Sequence, residues 1–173
     1  MNSTTTAHTS DKHLTGQASA ASGPRALLAR ALATDASWTQ ALLRVTLGAV
    51  MFPHGAQKAL GWFGGYGFTG TMGFLTEKAG LPTLIAFLVI AFEFAGSILL
   101  VLGLGTRFAA AGIVTVMVGA IATVHATNGF FMNWNGNQAG EGFEYHLLVL
   151  GLAFALILRG GGRASFDRSL SAR

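Results

Sequence analysis

Four long apolar runs joined by glycine-rich, aromatic loops predict an all-α polytopic membrane protein. The expected architecture is a four-transmembrane-helix bundle with a short amphipathic interfacial helix after the first span. Three observations lead there. Of the 173 residues, 51% are hydrophobic and only 10% charged, with a mean hydropathy of +0.52, too apolar for an ordinary soluble domain. The 24 glycines suit close helix packing in lipid. The second and third runs are separated only by Gly105–Arg107, so they form an antiparallel hairpin.

The spans are placed at about 38–60, 83–104, 108–126 and 143–158, within a membrane domain of 37–160. Residues 1–36 form a polar tail rich in Ser, Thr and Ala and are expected to be disordered, with a short surface helix over 25–33. Residues 161–173 form a basic tail. In the first loop Trp62, Phe63, Tyr66 and Phe68 sit where interfacial aromatics belong. Phe68, Met72, Leu75 and Ala79 recur at helical spacing, which predicts an amphipathic surface helix over 69–79. In the third span Ala111, Thr115, Gly119 and Thr123 put small residues at every fourth position, a face for close helix packing. The second long loop carries Phe130, Phe131 and Trp134 as anchors.

Basic residues set the orientation. Lys12, Arg25, Arg30, Arg107, Arg159, Arg163, Arg168 and Arg173 all fall on one side of a four-span chain. The positive-inside rule then puts both termini in the cytoplasm, with the protein in the cytoplasmic (inner) membrane. The charge of +4 serves topology rather than a nucleic-acid partner, since no basic–aromatic cluster is present. The absence of cysteine excludes a dithiol relay and thiolate ligation of an iron–sulfur cluster. No flavin, haem or metal motif is visible, and no two histidines have the spacing of a ligand pair on one helix.

The candidate site grows from the first span, WTQALLRVTLGAVMFPHGAQKAL. Ionisable groups inside a membrane are costly and normally face a protein interior. At ~100° per residue, Lys58 lies about 40° and His54 about 80° from Arg44, so all three share one side with Gly48 and Gly55. Pro53 frees the carbonyl of Ala49. Taking Ala49 as the centre, Arg44 lies ~7.5 Å toward the cytoplasm and His54 ~7.5 Å outward, at ~1.5 Å per residue. Glu93, the only charge in the second span, is near the midplane and is the expected partner of Arg44, or of Lys58 if the first helix kinks strongly. Nearer the outer surface, His125, Glu144 and His146 form a second tier with Tyr145.

The sequence leaves each of these a structural alternative. Arg44 with Glu93 would fix helix register, Lys58 would snorkel to the interface, and His125 would hydrogen-bond there. Glu141 and Glu144 would act as caps near a helix start. Glu144 and His146 point some 200° apart on an ideal helix at ~100° per residue, so both cannot face one groove.

Five stretches resemble the DoxX family of small four-span membrane proteins. They are LLRVTLGAVMFPHGAQKALGWFGG, GLP leading into FEFAGSILLVLGLGTR, His125 after the third span, EYHLLVLGLAFALIL and the closing GGGRASFD. The resemblance covers about Leu42 to Asp167 and implies a membrane-embedded oxidoreductase component. The expectation is a quinone- or quinol-interacting subunit, with Arg44, His54, Lys58, Glu93, His125, Glu144 and His146 as binding residues. His54 and Glu93 are the proton-handling, catalytic pair. A redox or respiratory partner protein supplies the electrons, and homo-oligomers are compatible with the chain. The alternatives are a non-catalytic structural or assembly subunit, and a small carrier or proton pathway.

Overall fold

The computed structural model describes residues 32–171. The expected disorder of the amino-terminal tail, and most of its expected surface helix, lie outside the described residues. Among the described residues every regular element is helical. Six α-helices follow in order: α1 (Trp38–Leu60), α2 (Gly67–Gly73), α3 (Thr83–Leu102), α4 (Thr106–Ala120), α5 (Glu144–Arg159) and α6 (Phe166–Ser171). Single π-helical turns extend α2 through Phe74–Lys78 and α4 through Ile121–His125.

The four long helices pack in a ring, α1 on α3, α3 on α4, α4 on α5 and α5 on α1. Leu47 and Met51 of α1, Leu100 of α3, Ile113 and Met117 of α4, and Val149 and Leu156 of α5 fill its centre. The outward faces are apolar as well: Leu84, Phe108, Leu148 and Leu158 are each about two-thirds or more exposed. Helices α3 and α4, the latter counted through Asn128, are long and apolar enough to cross a membrane. Helix α1 has the length but carries three ionisable groups, and α5 has only 16 residues.

Helix α1 occupies the residues its apolar run marks, with the Ser37 hydroxyl capping its start. Its tightest neighbour is α3. A side-chain carbon at Gly55 would lie 2.5 Å from the Glu93 backbone, and one at Gly48 2.8 Å from the Ser97 carbonyl. The two glycines are therefore where α3 crosses, and the space they leave is filled by backbone. This crossing fixes the register. Glu93 comes level with Gly55, while Arg44 comes level with Leu100 and Val101, ~11 Å further along α3 at ~1.5 Å per residue.

The carboxy-terminal residues fold back onto the bundle. Asp167, in the first turn of α6, is buried and its backbone N–H donates to the Gly103 carbonyl. Residues 33–35 join the same end: the Thr34 hydroxyl accepts from the Gly162 N–H, and Asp35 pairs with Arg159 at 3.0 Å.

The small-residue face of α4 differs from expectation. Ala111, Thr115, Gly119 and Thr123 are all exposed among the described residues. Helix α5 is held instead through Ala109, Ala110, Ile113, Val116 and Met117, the bulkier face. The bulkier face makes more van der Waals contact with its neighbours, which is what drives helix association in lipid, so it takes the interior.

Candidate functional site

Two polar centres occupy opposite ends of the bundle. At the end carrying the α3–α4 turn, Arg44 is only 2% exposed. Its Nε donates to the Gly161 carbonyl at 3.0 Å, one terminal nitrogen to the carbonyls of Leu100 (2.7 Å) and Val101, and the other to Ala164 at 3.0 Å. The expected Arg44–Glu93 pair is therefore absent, because the helix register sets them apart. Arg44 serves the carboxyl end of α3, where unpaired carbonyls and the helix dipole favour a cation. On the other side of the same turn, the Asp167 carboxylate accepts from the N–H groups of Gly105 (2.7 Å) and Thr106 (2.8 Å), capping α4. Gly103 and Gly105, at φ 68° and 58°, let the chain reverse between these two caps.

At the opposite end a cavity of about 890 Å³ lies among α1, α2, α3, α4 and α5. Its inner wall holds Lys58, Glu93, His54, Tyr145 and His146, with Thr71 and His125 nearby. Lys58 Nζ donates to Glu93 Oε2 at 2.5 Å, with the glutamate side chain 5% exposed and the lysine 30%. The second of the partners expected for Glu93 is thus the one observed. Lys58 turns inward to the carboxylate rather than out to the interface. The Lys58 stem bridges from the turn above Gly55, where α1 and α3 are in backbone contact.

The histidines converge on the same wall. His54 stands open to the cavity with its ring 5.8 Å from that of Tyr145. Tyr145 packs on His146 at the same separation, and its hydroxyl has only the Met51 sulfur, 3.7 Å away, as acceptor among the described residues. The rings of His125 and His146 are 4.2 Å apart. His125 Nδ1 faces the Glu141 carbonyl at 2.8 Å, so it carries the proton and leaves Nε2 as an acceptor. His146 is 94% buried, and its Nδ1 has no partner among the described residues.

Of the seven residues expected to bind, five meet here and two do not. Arg44 belongs to the other end. Glu144 leaves the cavity, as its 200° separation from His146 implied. It accepts from Met132 N–H at 3.0 Å and Trp134 Nε1 at 3.2 Å, tying down the preceding loop. Glu141 does the same through Asn133 N–H at 2.6 Å. Tyr145 and Thr71 line the cavity although the binding set did not include them. A signal for Tyr145 existed in its place between Glu144 and His146. Thr71 gave none, being one hydroxyl in a surface helix.

The DoxX family model matches residues 39–126, which contain α1 to α4. The chain belongs to the DoxX family. A Bacillus subtilis (strain 168) protein named "Putative oxidoreductase CatD" is similar, 34% identical over 115 residues that cover 66% of this chain and 75% of that protein. No solved structure matches the chain. As a DoxX protein with two helices able to cross a membrane and apolar outward faces, it is a helical membrane protein. Its α5, which supplies Tyr145 and His146, lies beyond the matched segment.

Proposed function

We propose that this DoxX protein is a quinone- or quinol-interacting subunit of a membrane oxidoreductase system, with the head group bound at the Lys58–Glu93 wall. One observation carries the reading: a cavity with mostly apolar walls whose inner face gathers an ammonium, a carboxylate, a phenol and imidazoles. Binding sites commonly combine an apolar lining with a few convergent polar groups. A quinone reaches such a site through lipid, has two carbonyl oxygens that need donors, and takes up two electrons and two protons on reduction. Lys58, His54 and Tyr145 are the donors within reach of the wall. Glu93 and His54 hold and release protons, while His125 and His146 lead toward the loop carrying Glu141. The two electrons come from a partner protein. The name of the Bacillus relative points to the same class of chemistry.

The reading includes four membrane crossings by α1, α3, α4 and α5, with both termini on the cytoplasmic side. Arg107, Arg159 and Arg163 collect around the Arg44 end, where Arg107 donates to the carbonyls of Ile157 and Ala33 and Arg163 lies over the Trp38 ring. That end is then cytoplasmic, and the cavity opens toward the other half of the bilayer. Single cysteines at the exposed Tyr66 and at Asn135 should react with an impermeant thiol reagent in intact cells, and one at Ser171 should not. The reverse pattern overturns the orientation.

The binding test is a titration of purified protein with a short-chain quinone, followed by tryptophan quenching. A buried carbonyl left without its donor costs ~1–3 kcal/mol. Losing the His54 donor in His54→Ala should therefore weaken binding roughly ten- to hundredfold, at ~1.4 kcal/mol per decade. Matched circular dichroism and melting confirm that both proteins are folded. Absence of saturable binding in the wild type, or equal affinity in the mutant, leaves a non-catalytic structural subunit as the better reading.

A further inference from the structure

The hairpin of α3 and α4 is shut near its turn and open further up. At Gly112 any side chain would collide with the Phe92 ring. Gly119 lies two turns on, ~20° from the same face on a straight helix. A side-chain carbon there would meet nothing within 4 Å. The helices have parted, and the space between them is continuous with the cavity. Ile85, Leu88 and Val89 line it from α3, and Thr115, Gly119 and Thr123 from α4.

This cleft has nothing to offer a polar group. The Thr115 hydroxyl donates to its own helix at the Ala111 carbonyl, 3.0 Å away, and Thr123 to the Gly119 carbonyl at 2.8 Å. With both hydroxyls turned back, the two threonines present methyl groups to the opening. Yet the wall behind is the one that holds the Lys58–Glu93 pair and His146, whose buried Nδ1 lacks a partner among the described residues. A polar wall behind an apolar opening matches an amphiphile with a hydrogen-bonding head and one slender chain. A packed helix would need to supply neither.

We infer that the cleft between α3 and α4 seats the apolar chain, isoprenoid or acyl, of a ligand whose head group lies at the Lys58–Glu93 wall. This rests on the head-group reading proposed above for its quinone form. The small residues of α4 are then a track for the chain. They were free to be small because no helix among the described residues needs that face.

Gly119→Leu tests this directly, since a side-chain carbon there meets nothing within 4 Å, leucine favours the helix, and its branch extends into the cleft. Gly151→Leu on α5 is the control, exposed with equally open surroundings and outside the cavity. Three probes are titrated into each protein in one detergent: a tailless benzoquinone, its decyl-tailed derivative, and a brominated fatty acid that quenches tryptophan. The decyl quinone should bind the wild type at least tenfold more tightly than the tailless one. Gly119→Leu should remove most of that advantage and leave the tailless quinone unchanged, and Gly151→Leu should alter neither. A tail that adds nothing, or whose advantage survives Gly119→Leu, overturns the inference. If neither quinone binds but the fatty acid does, and Gly119→Leu abolishes it, the head-group reading falls and the cleft stands as a lipid-chain site. If no probe binds, or if Gly119→Leu changes only the mass of the detergent-solubilised protein in light scattering, the face is an interface or bare surface and the inference fails.

Discussion

Both ends of this bundle bury charge, and they do so in opposite ways. Around Arg44, each of its three guanidinium nitrogens meets fixed backbone carbonyls, and Asp167 meets two fixed backbone N–H groups. Around Glu93, one flexible lysine supplies the observed pairing, a tyrosine hydroxyl makes do with a sulfur, and an imidazole nitrogen has no partner among the described residues. Arg44 and Asp167 spend their hydrogen-bonding capacity on the backbone, while Gln40 Oε1, Thr106 Oγ1 and Arg107 Nε at that end are buried without a partner among the described residues. The second end keeps donors and acceptors in reserve beside an 890 Å³ space. An ionisable residue inside a membrane helix is therefore a poor indicator of a site until its partners are known. Unspent hydrogen-bonding capacity next to open volume is the better one.

The contrast breaks most visibly at Arg44. Arg44→Met orphans carbonyls from α3 and from the carboxy-terminal fold. With unpaired buried acceptors costing ~1–3 kcal/mol each and water replacing some partners, the loss should reach ~3–5 kcal/mol. Unfolding in detergent measures it, and a melting curve like that of the wild type would show the Arg44 end to be ornamental. Asp167→Ala comes next, at ~1–2 kcal/mol for a lost helix cap. The Lys58–Glu93 pair should show a coupling of ~1–3 kcal/mol in a cycle of Lys58→Met and Glu93→Gln, whereas Arg44→Met and Glu93→Gln should add to within ~0.5 kcal/mol. Coupling in the second cycle and none in the first would mean that the register described above is wrong. The smallest effect is expected at Glu144→Gln. It loosens the Met132–Trp134 loop and leaves quinone affinity alone, so a marked loss of affinity there would extend the site beyond the cavity.

Much of the helical layout was legible because it depends on local signals. Trp38–Leu60 is bounded by a serine cap and a left-handed Gly61, and its apolar run has the length of the helix observed. Partner choice was less legible because it depends on how far one helix slides along another. Depth along an assumed membrane normal made Arg44 and Glu93 neighbours, but Gly48 and Gly55 set a crossing that separates them. In the sequence those glycines only share a side with Arg44, while in the fold they mark the register of α1 on α3. The closing GGGRASFD was informative in the same way. It was seen as a motif, while its task of meeting Arg44 and capping α4 emerges only when residue 167 returns to residue 105. For α4, spacing alone could not tell a packing face from a cleft, since small residues serve both.

The Arg44 knot also has a timetable. The arginine is 56 residues ahead of Leu100 and 117 ahead of Gly161, the carbonyls that hold it. As the chain leaves the ribosome, this guanidinium enters its helix long before half of its acceptors exist. Contacts so distant in sequence form late. The turn between α3 and α4 likewise waits for Asp167 before α4 has its cap. A chain interrupted before Gly161 would own all the long helices and still leave Arg44 half-coordinated. The segment from Gly161 to Asp167 thus completes a coordination that the long helices only begin, and a copy lacking it leaves Arg44 with the Leu100 and Val101 carbonyls alone.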